Sequence, residues 1–336
     1  MRKIAWLSPL LLMAILLVAS SPAAAHSPLF PVENHSIDTA MAIDDPAKSI
    51  AIYHELESEE AAYYELQMKA GERIFLQTLI PVSPQQGFIP GLALLLPGVG
   101  SNGTLPSFVE VPSGYHTLVA PGDANAEGEL EPFTPGPIFI LAEIDVVAPV
   151  DGTYYGVVFS NDQGGNYAIA IGYLETFTAE EILSLPVDLL TIYQWEGQAL
   201  WQALLPYVLV FAIGLLLAYY GHRRMGKPDT WVKWLAVISS LAFLGSTASV
   251  LFQLAFSFTR VPVSSTMVLS LLFALAYLIM GLVVGRFAFQ RKELSLRVRI
   301  VFVAIAIIGL SMWGGFYIGP ILALVVAFAP PYRGKK

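Results

Sequence analysis

The stretch Asp151–Tyr173, DGTYYGVVFSNDQGGNYAIAIGY, decides the fold class. Tyr155, Val157 and Phe159 alternate with Tyr154, Gly156 and Val158, and the alternation resumes from Asn166 to Gly172. Side chains two apart share one face of a strand, so each run reads as a half-buried strand. Between them Asp162-Gln163-Gly164-Gly165 offers glycines that can supply the positive φ of a tight turn, which predicts a β-hairpin.

Working outward, His26 to about Gly172 has the same texture: short apolar runs separated by Pro, Gly, Asn and Asp, as in an all-β sandwich. The runs Ile50–Leu56, Ala62–Met68, Arg73–Ile80, Leu92–Leu96, Tyr115–Val119 and Ile138–Val147 are the other expected strands. Ten prolines between Pro81 and Pro137 make the middle loop-rich, because proline cannot sit inside a central strand. In the pairs Tyr63-Tyr64 and Tyr154-Tyr155 one ring is expected in the core and its neighbour on the opposite face, in preference to a ligand groove.

The segment Glu60–Leu79, EAAYYELQMKAGERIFLQTL, resembles the opening of bacterial pre-peptidase C-terminal domains. Gly152-Thr153-Tyr154-Tyr155 with Gly164-Gly165-Asn166-Tyr167 resembles their closing GTYY…GGxY pair. The resemblance implies a small jelly-roll-like sandwich that aids binding or stability of a larger extracellular protein. Two features depart from it: Leu92–Leu96 is wholly apolar where family members often carry an acidic strand, and the proline-rich insert has no counterpart.

The chain of 336 residues is 55% hydrophobic and 13% charged, too apolar for a wholly soluble protein. Met1–Ala25 carries Arg2 and Lys3, an apolar run from Leu10 to Val18 and a small-residue Ala23-Ala24-Ala25 end, the three regions of a secretory signal. An uncleaved N-terminal anchor is the alternative. The sandwich is assigned to 26–174 and a juxtamembrane connector to 175–202. In the connector Thr178-Ala179-Glu180-Glu181 reads as a capping box and Pro186 begins a further helical turn. Membrane helices are expected at 203–220, 234–256 and 261–286, each near the ~20 residues that cross a bilayer. The last apolar run, 300–330, is too long for one straight crossing and short for two, and is read as one long broken span ahead of a basic tail, 333–336. The expected class is therefore a multi-domain membrane protein, an all-β sandwich followed by an α-helical transmembrane bundle.

Charge is segregated along the chain. Between His26 and Leu200 there are 24 acidic residues against Lys48, Lys69 and Arg73. Arg223, Arg224, Lys227 and Lys233 follow the first span, and Arg286, Arg291, Lys292, Arg297 and Arg299 follow the third. Basic loops stay in the cytoplasm, which places the sandwich outside, as the signal segment requires. The acidic balance disfavours nucleic acid as a partner and leaves the lipid bilayer and another membrane or cell-surface protein.

Cysteine is absent, which excludes disulfides, thiolate metal sites and cysteine nucleophiles. No G-x-S-x-G, H-E-x-x-H or P-loop pattern occurs. A mature N-terminal His26 can chelate copper through its amine and imidazole, with His116, His54 or His35 as further ligands, similar to exported copper-resistance proteins. Asp123, Asn125, Glu127 and Glu129 echo a calcium loop, but the twelfth position is Thr134 and the bidentate Glu is missing. The predicted spans hold no ionisable residue in their interiors, which argues against proton-coupled transport. Ser239, Ser240, Ser246, Thr247, Ser249 and Gln253 are placed to bond between helices, and Gly281-x-x-x-Gly285 and Gly315-x-x-x-Gly319 to allow close helix approach. The reading that results is a non-catalytic, membrane-anchored sandwich without a cofactor, acting in binding, sensing or assembly. The alternative is a metal-handling protein built on His26.

Overall fold

The computed structural model describes residues 26–31, 33–82, 87–98, 101–225, 230–289 and 294–330, so the segments expected to be a secretory signal and a basic tail lie outside the described residues. Two compact units are present: 26–198 with 257–264, and 199–256 with 265–330.

The first unit is a sandwich of eleven strands: β1 (Ser27–Leu29), β2 (Met41–Ile43), β3 (Ile50–Leu56), β4 (Glu60–Met68), β5 (Arg73–Pro81), β6 (Gly91–Pro97), β7 (Tyr115–Ala120), β8 (Gly128–Glu131), β9 (Gly136–Val147), β10 (Gly152–Ser160) and β11 (Gly165–Ile171). One sheet has the order β1-β3-β11-β5-β9-β8 and the other β2-β4-β10-β6-β7. Every strand expected from the alternation is present. The three that the pattern did not disclose, β1, β2 and β8, are three or four residues long, and β1 and β2 add in parallel to β3 and β4 at the sheet edges. Edge strands that short expose little unpaired backbone.

The hairpin expected at 151–173 is not formed. β10 pairs with β4 and β6, whereas β11 pairs with β3 and β5, so consecutive strands lie in opposite sheets. Their connection is an arch across the sandwich. Gly164 and Gly165 have no positive φ. Gly164 is needed because a Cβ there would press on Leu56 O and Glu57 Cα. The left-handed residue is Gly172 (φ +79°), where a Cβ would collide with Lys48 O.

Between the sheets Ile52, Leu66, Leu76, Leu94, Val158 and Ile169 form the core. The hydroxyls of Tyr64 and Tyr167, on opposite sheets, hydrogen-bond at 2.7 Å, which satisfies two groups whose unpaired burial would cost several kcal/mol. Both outer faces are also covered. Over the five-stranded sheet, Ala61, Tyr63, Leu95, Val157 and Phe159 pack under Ile37 and under Leu105, Phe108 and Val109 of the proline-rich segment. The Tyr63 hydroxyl accepts from Glu110 N at 2.7 Å, fixing that cover. The insert without a counterpart is therefore a lid on the sheet, and β6 is wholly apolar because both its faces are buried.

The helices are α1 (Ala179–Trp195), α2 (Leu200–Met225), α3 (Trp231–Phe258), α4 (Met267–Ala288), α5 (Leu296–Ser311) and α6 (Ile318–Phe328). Segments Leu200–Tyr220, Trp231–Phe258 and Met267–Ala288 are long and apolar enough to cross a membrane. α1 is one continuous helix through Pro186.

The single broken span expected at 300–330 is also corrected. α5 and α6 are antiparallel, because Arg299 Nη1 at the start of α5 donates to Ala327 O at the end of α6 (2.6 Å). At 1.5 Å per residue they measure about 24 and 16 Å, each short of the ~30 Å hydrocarbon layer. Left-handed residues Trp313, Gly315, Phe316 and Tyr317 turn the chain between them. Backbone unwound in an apolar surrounding must find partners. Ser246 Oγ accepts from Gly315 N (2.7 Å), Ser239 Oγ donates to Gly319 O (2.7 Å) and Tyr277 OH donates to Met312 O. The Phe243 ring fills a notch lined by Gly309, Gly314 and Gly319, and Ser240 lies against Gly281 and Gly285, so both glycine spacings serve packing within the bundle.

Replacing Ser246 by Ala leaves the Gly315 amide unpaired and is expected to cost about 1–3 kcal/mol, read by thermal unfolding in detergent. Ser311→Ala, which removes an exposed bond to Ile308 O, is expected to change little. Equal effects of the two would refute the role given to Ser246.

Candidate functional site

The outer face of the six-stranded sheet is covered by α1, and the two ends of that helix are held differently. At its N-terminus Thr178 Oγ1 accepts from Glu181 N (3.2 Å) while Glu181 Oε2 accepts from Thr178 N (2.7 Å), the capping box read from the sequence. Lys48 Nζ pairs with the Glu181 carboxylate, joining the helix to the chain just before β3. Burial raises the Glu181 pKa, but Lys48, the Thr178 amide and the Ser27 and Thr178 hydroxyls outweigh it and bring it down to about 2.

At the other end Trp195 lies on β11 and β3. Its indole Nε1 donates to Tyr167 O (3.0 Å), Asn166 Nδ2 donates to Trp195 O (2.8 Å), and its ring meets Tyr53 edge-on at 5.0 Å. Leu79 and Ala168 complete the contact. Alanine on the central strand leaves room for the indole. The helix closes through Gly197 (φ +87°), with Gly197 N on Gln194 O and Gln198 N on Tyr193 O, both 2.9 Å.

This closure places Glu196 in the interior at 2% exposure, with Gln198 Nε2 donating to its Oε2 (3.3 Å). A Cβ on Gly136 would collide with Glu196 Oε1, so the strand needs glycine there. Gly136 is the register partner of Glu131 in the β8–β9 ladder, and Glu131 Oε1 accepts from Phe133 N (3.0 Å). Burial raises Glu131 to about 7, against the Phe133 amide. Burial raises Glu196 to about 8, with Gln198 and Arg260 opposing and Glu131 adding to it. Tyr53 is driven upward by burial, then by Glu131 and Glu196. Two carboxyl groups thus meet at Gly136, Glu196 buried and Glu131 half-buried, and loss of solvent holds both above the usual carboxylate range. Chemically this is a proton-binding pair. The sequence held one clue: an acid at the C-cap opposes the negative end of the helix dipole.

The histidines are dispersed. His26 Nδ1 bonds to Ser49 Oγ at 2.7 Å, and burial lowers its pKa. His35 and His54 are adjacent, with ring centroids 5.4 Å apart; His35 Nδ1 meets Glu60 Oε1 at 3.1 Å, and burial and then His35 lower His54. His116 lies on β7 of the other sheet, opposite Leu96. Among the described residues no three His, Asp or Glu side chains come together to hold a metal ion. The calcium-like stretch does not continue as a loop. Asp123 Oδ1 accepts from Asn125 N (2.8 Å) in a local turn, Glu127 is exposed, and Gly128–Glu131 is β8, with exposed Glu129 opposite Ile138. Alternation of Glu129, Leu130 and Glu131 with Leu130 buried is a strand pattern that the acidic composition concealed.

No family model matches the chain, and no curated protein matches it. Among solved structures, it is similar to the periplasmic inhibitor of g-type lysozyme PliG from Aeromonas hydrophila, at 12% identity over 43% of this chain and 97% of that one, with a TM-score of 0.24. PliG from Salmonella Typhimurium is 11% identical over 44% of this chain and 98% of that one, with a TM-score of 0.23. Similarity at this level does not extend to a site or a partner.

The Lys48–Glu181 pair has a defined pH signature. Because the folded pKa of Glu181 is depressed, its contribution is complete above the ordinary carboxylate value near 4.5 and is lost as pH falls toward 2. Lys48→Ala is expected to cost about 1–3 kcal/mol at neutral pH and to flatten the acid limb of the stability curve. An unchanged acid limb in the variant would exclude the pair as its source.

Proposed function

We propose that this chain is a non-catalytic, membrane-anchored binding protein whose acidic sandwich, of the pre-peptidase C-terminal type, stands outside the cell and engages another membrane or cell-surface protein. The observation that carries this reading is the partition of charge: 24 acidic and three basic residues in the sandwich and connector, against basic clusters that follow the first and third apolar spans. Positive charge retained in the cytoplasm orients the helices, and a strongly acidic domain steers basic surfaces toward itself. The family assignment of the sandwich is supported by where its motifs fall. Glu60–Leu79 supplies β4 and most of β5, the GTYY piece opens β10, and the GGxY piece ends the arch and opens β11.

A topology reporter tests the orientation. With α5 and α6 antiparallel, a fusion after Lys336 is expected to be active in the cytoplasm, and added protease is expected to reach the sandwich from outside. A reporter active only outside would overturn the assignment. For the binding half, photo-crosslinkers at the exposed residues Ile89, just before β6, and Val147, at the end of β9, are to be placed in native membranes. One protein captured from either position and lost at high salt is expected. No protein captured from either would leave an anchored domain without a binding role.

A further inference from the structure

The carboxyl pair beneath the end of α1 sits where two chain segments meet the β8–β9 ladder. One is the elbow Glu196-Gly197-Gln198 that leads from α1 to α2. The other is 257–264, the end of α3 and the link that follows it, which belongs to the sandwich unit. Ser257 Oγ donates to Pro135 O (2.8 Å), and Val261, 5% exposed, packs against Gly128 so closely that a Cβ there would lie 2.7 Å from it. Glu196 packs on Gly136 of the same ladder. Every group that seats these segments thus lies within a few residues of Glu131.

We propose that Glu131 and Glu196 form a proton-operated latch: with the pair protonated, the elbow and the 257–264 segment seat on the β8–β9 ladder, and with both carboxylates charged that seat loosens. Facing the pair, Tyr53 comes from β3, Gln198 from the elbow and Arg260 from the 257–264 segment. Tyrosine stays neutral through the relevant range, and glutamine brings no charge. The Arg260 guanidinium, which also donates to Thr259 Oγ1 (3.1 Å), opposes the shift of Glu196 alone, so ionising both carboxylates sets two negative charges against one positive charge at this seat. A buried charge left uncompensated is strongly destabilising. Solvent supplies and receives the proton, and no other reactant is needed.

The direction follows from linkage. Both pKa values are raised in the seated state, to about 7 and about 8, and return to the ordinary carboxylate value near 4.5 when the seat opens. The seat therefore binds more protons than the open form. It is strongest at low pH, weakens as pH rises from about 4.5, and stops changing above about 8. This is opposite in sign to the Lys48–Glu181 pair at the other end of α1.

Hydrogen–deuterium exchange on the full chain in nanodiscs, corrected for intrinsic exchange at each pH, tests the latch. Opening of residues 193–198 and 257–262 is expected to increase at least about tenfold between pH 6 and pH 9, with β3 and β11 unchanged. In E131Q/E196Q the two segments are expected to show the same opening at both pH values. Retention of the wild-type pH dependence in the double variant, or its absence in wild type, would overturn the proposal. Should the double variant fail to fold, infrared difference spectra of the wild type and of E131Q decide. A protonated-carboxyl band lost between pH 6 and pH 9, and diminished in E131Q, supports the latch; no such band at pH 6 refutes it.

Discussion

Burial of both faces of β10 and β11 is the constraint on which the rest of the sandwich depends. Each is a central strand, and they stand in opposite sheets. Their inward residues make the core between the sheets, and their outward residues, Val157 and Phe159 on one side and Ala168 and Ala170 on the other, are equally apolar. Exposing those faces would forfeit roughly 25 cal/mol for each Å2 of apolar area left in water. Each sheet therefore recruits a cover. The proline-rich segment lies over the five-stranded sheet, where irregular backbone with few donors is tolerable at the surface. Helix α1 lies over the other, where alanines on β11 leave it room.

The helical cover brings the electrostatics with it. Glu181 and Glu196 are the same residue type near opposite ends of α1, and their pKa values move in opposite directions. Glu181 has a lysine, a backbone amide and the positive end of the helix dipole. Glu196 has burial, a second carboxyl group and the negative end. Near pH 4.5 both ends are near their best, and departure to either side weakens a different end. A helix held this way does not behave as a uniform brace, because acid releases it at Lys48 and base at Gly136.

In the helical unit the governing constraint is satisfaction of backbone. Hydropathy located the three long helices because composition alone decides whether a segment of ~20 residues partitions into lipid. It could not decide the last run, since 31 apolar residues accommodate one tilted crossing or two short helices. What decides it is three-dimensional: Ser239 and Ser246 on α3 and Tyr277 on α4 offer hydroxyls at the height where the chain unwinds, and Phe243 fills the glycine notch beside them. The serines were legible as interhelical bonding groups. Their acceptors and donors were not, because nothing in the order of residues says which backbone groups a distant turn will leave unpaired.

The same limit explains the sandwich. Ile50–Leu56 was legible to the residue, because strand formation is a local property of alternation. Pairing is not local. A two-strand run with a four-residue turn fits a hairpin and an arch equally well in φ, ψ and turn length, and the glycines of 151–173 suit either. The distinction lies in the outward residues. A hairpin with one face in water carries a polar set on every second position, as Glu143 and Asp145 do on β9. β10 carries none from Gly156 to Phe159, where Val157, Val158 and Phe159 run consecutively. Such a strand must be covered twice, and crossing to the opposite sheet lets β11 share the core with β10 while each takes a different outer cover. The buried acid pair was hidden for a related reason. Glu131 and Glu196 are 65 positions apart and polar, so each alone reads as surface; only the closure of the helix that covers β11 brings Glu196 onto Gly136, the register partner of Glu131.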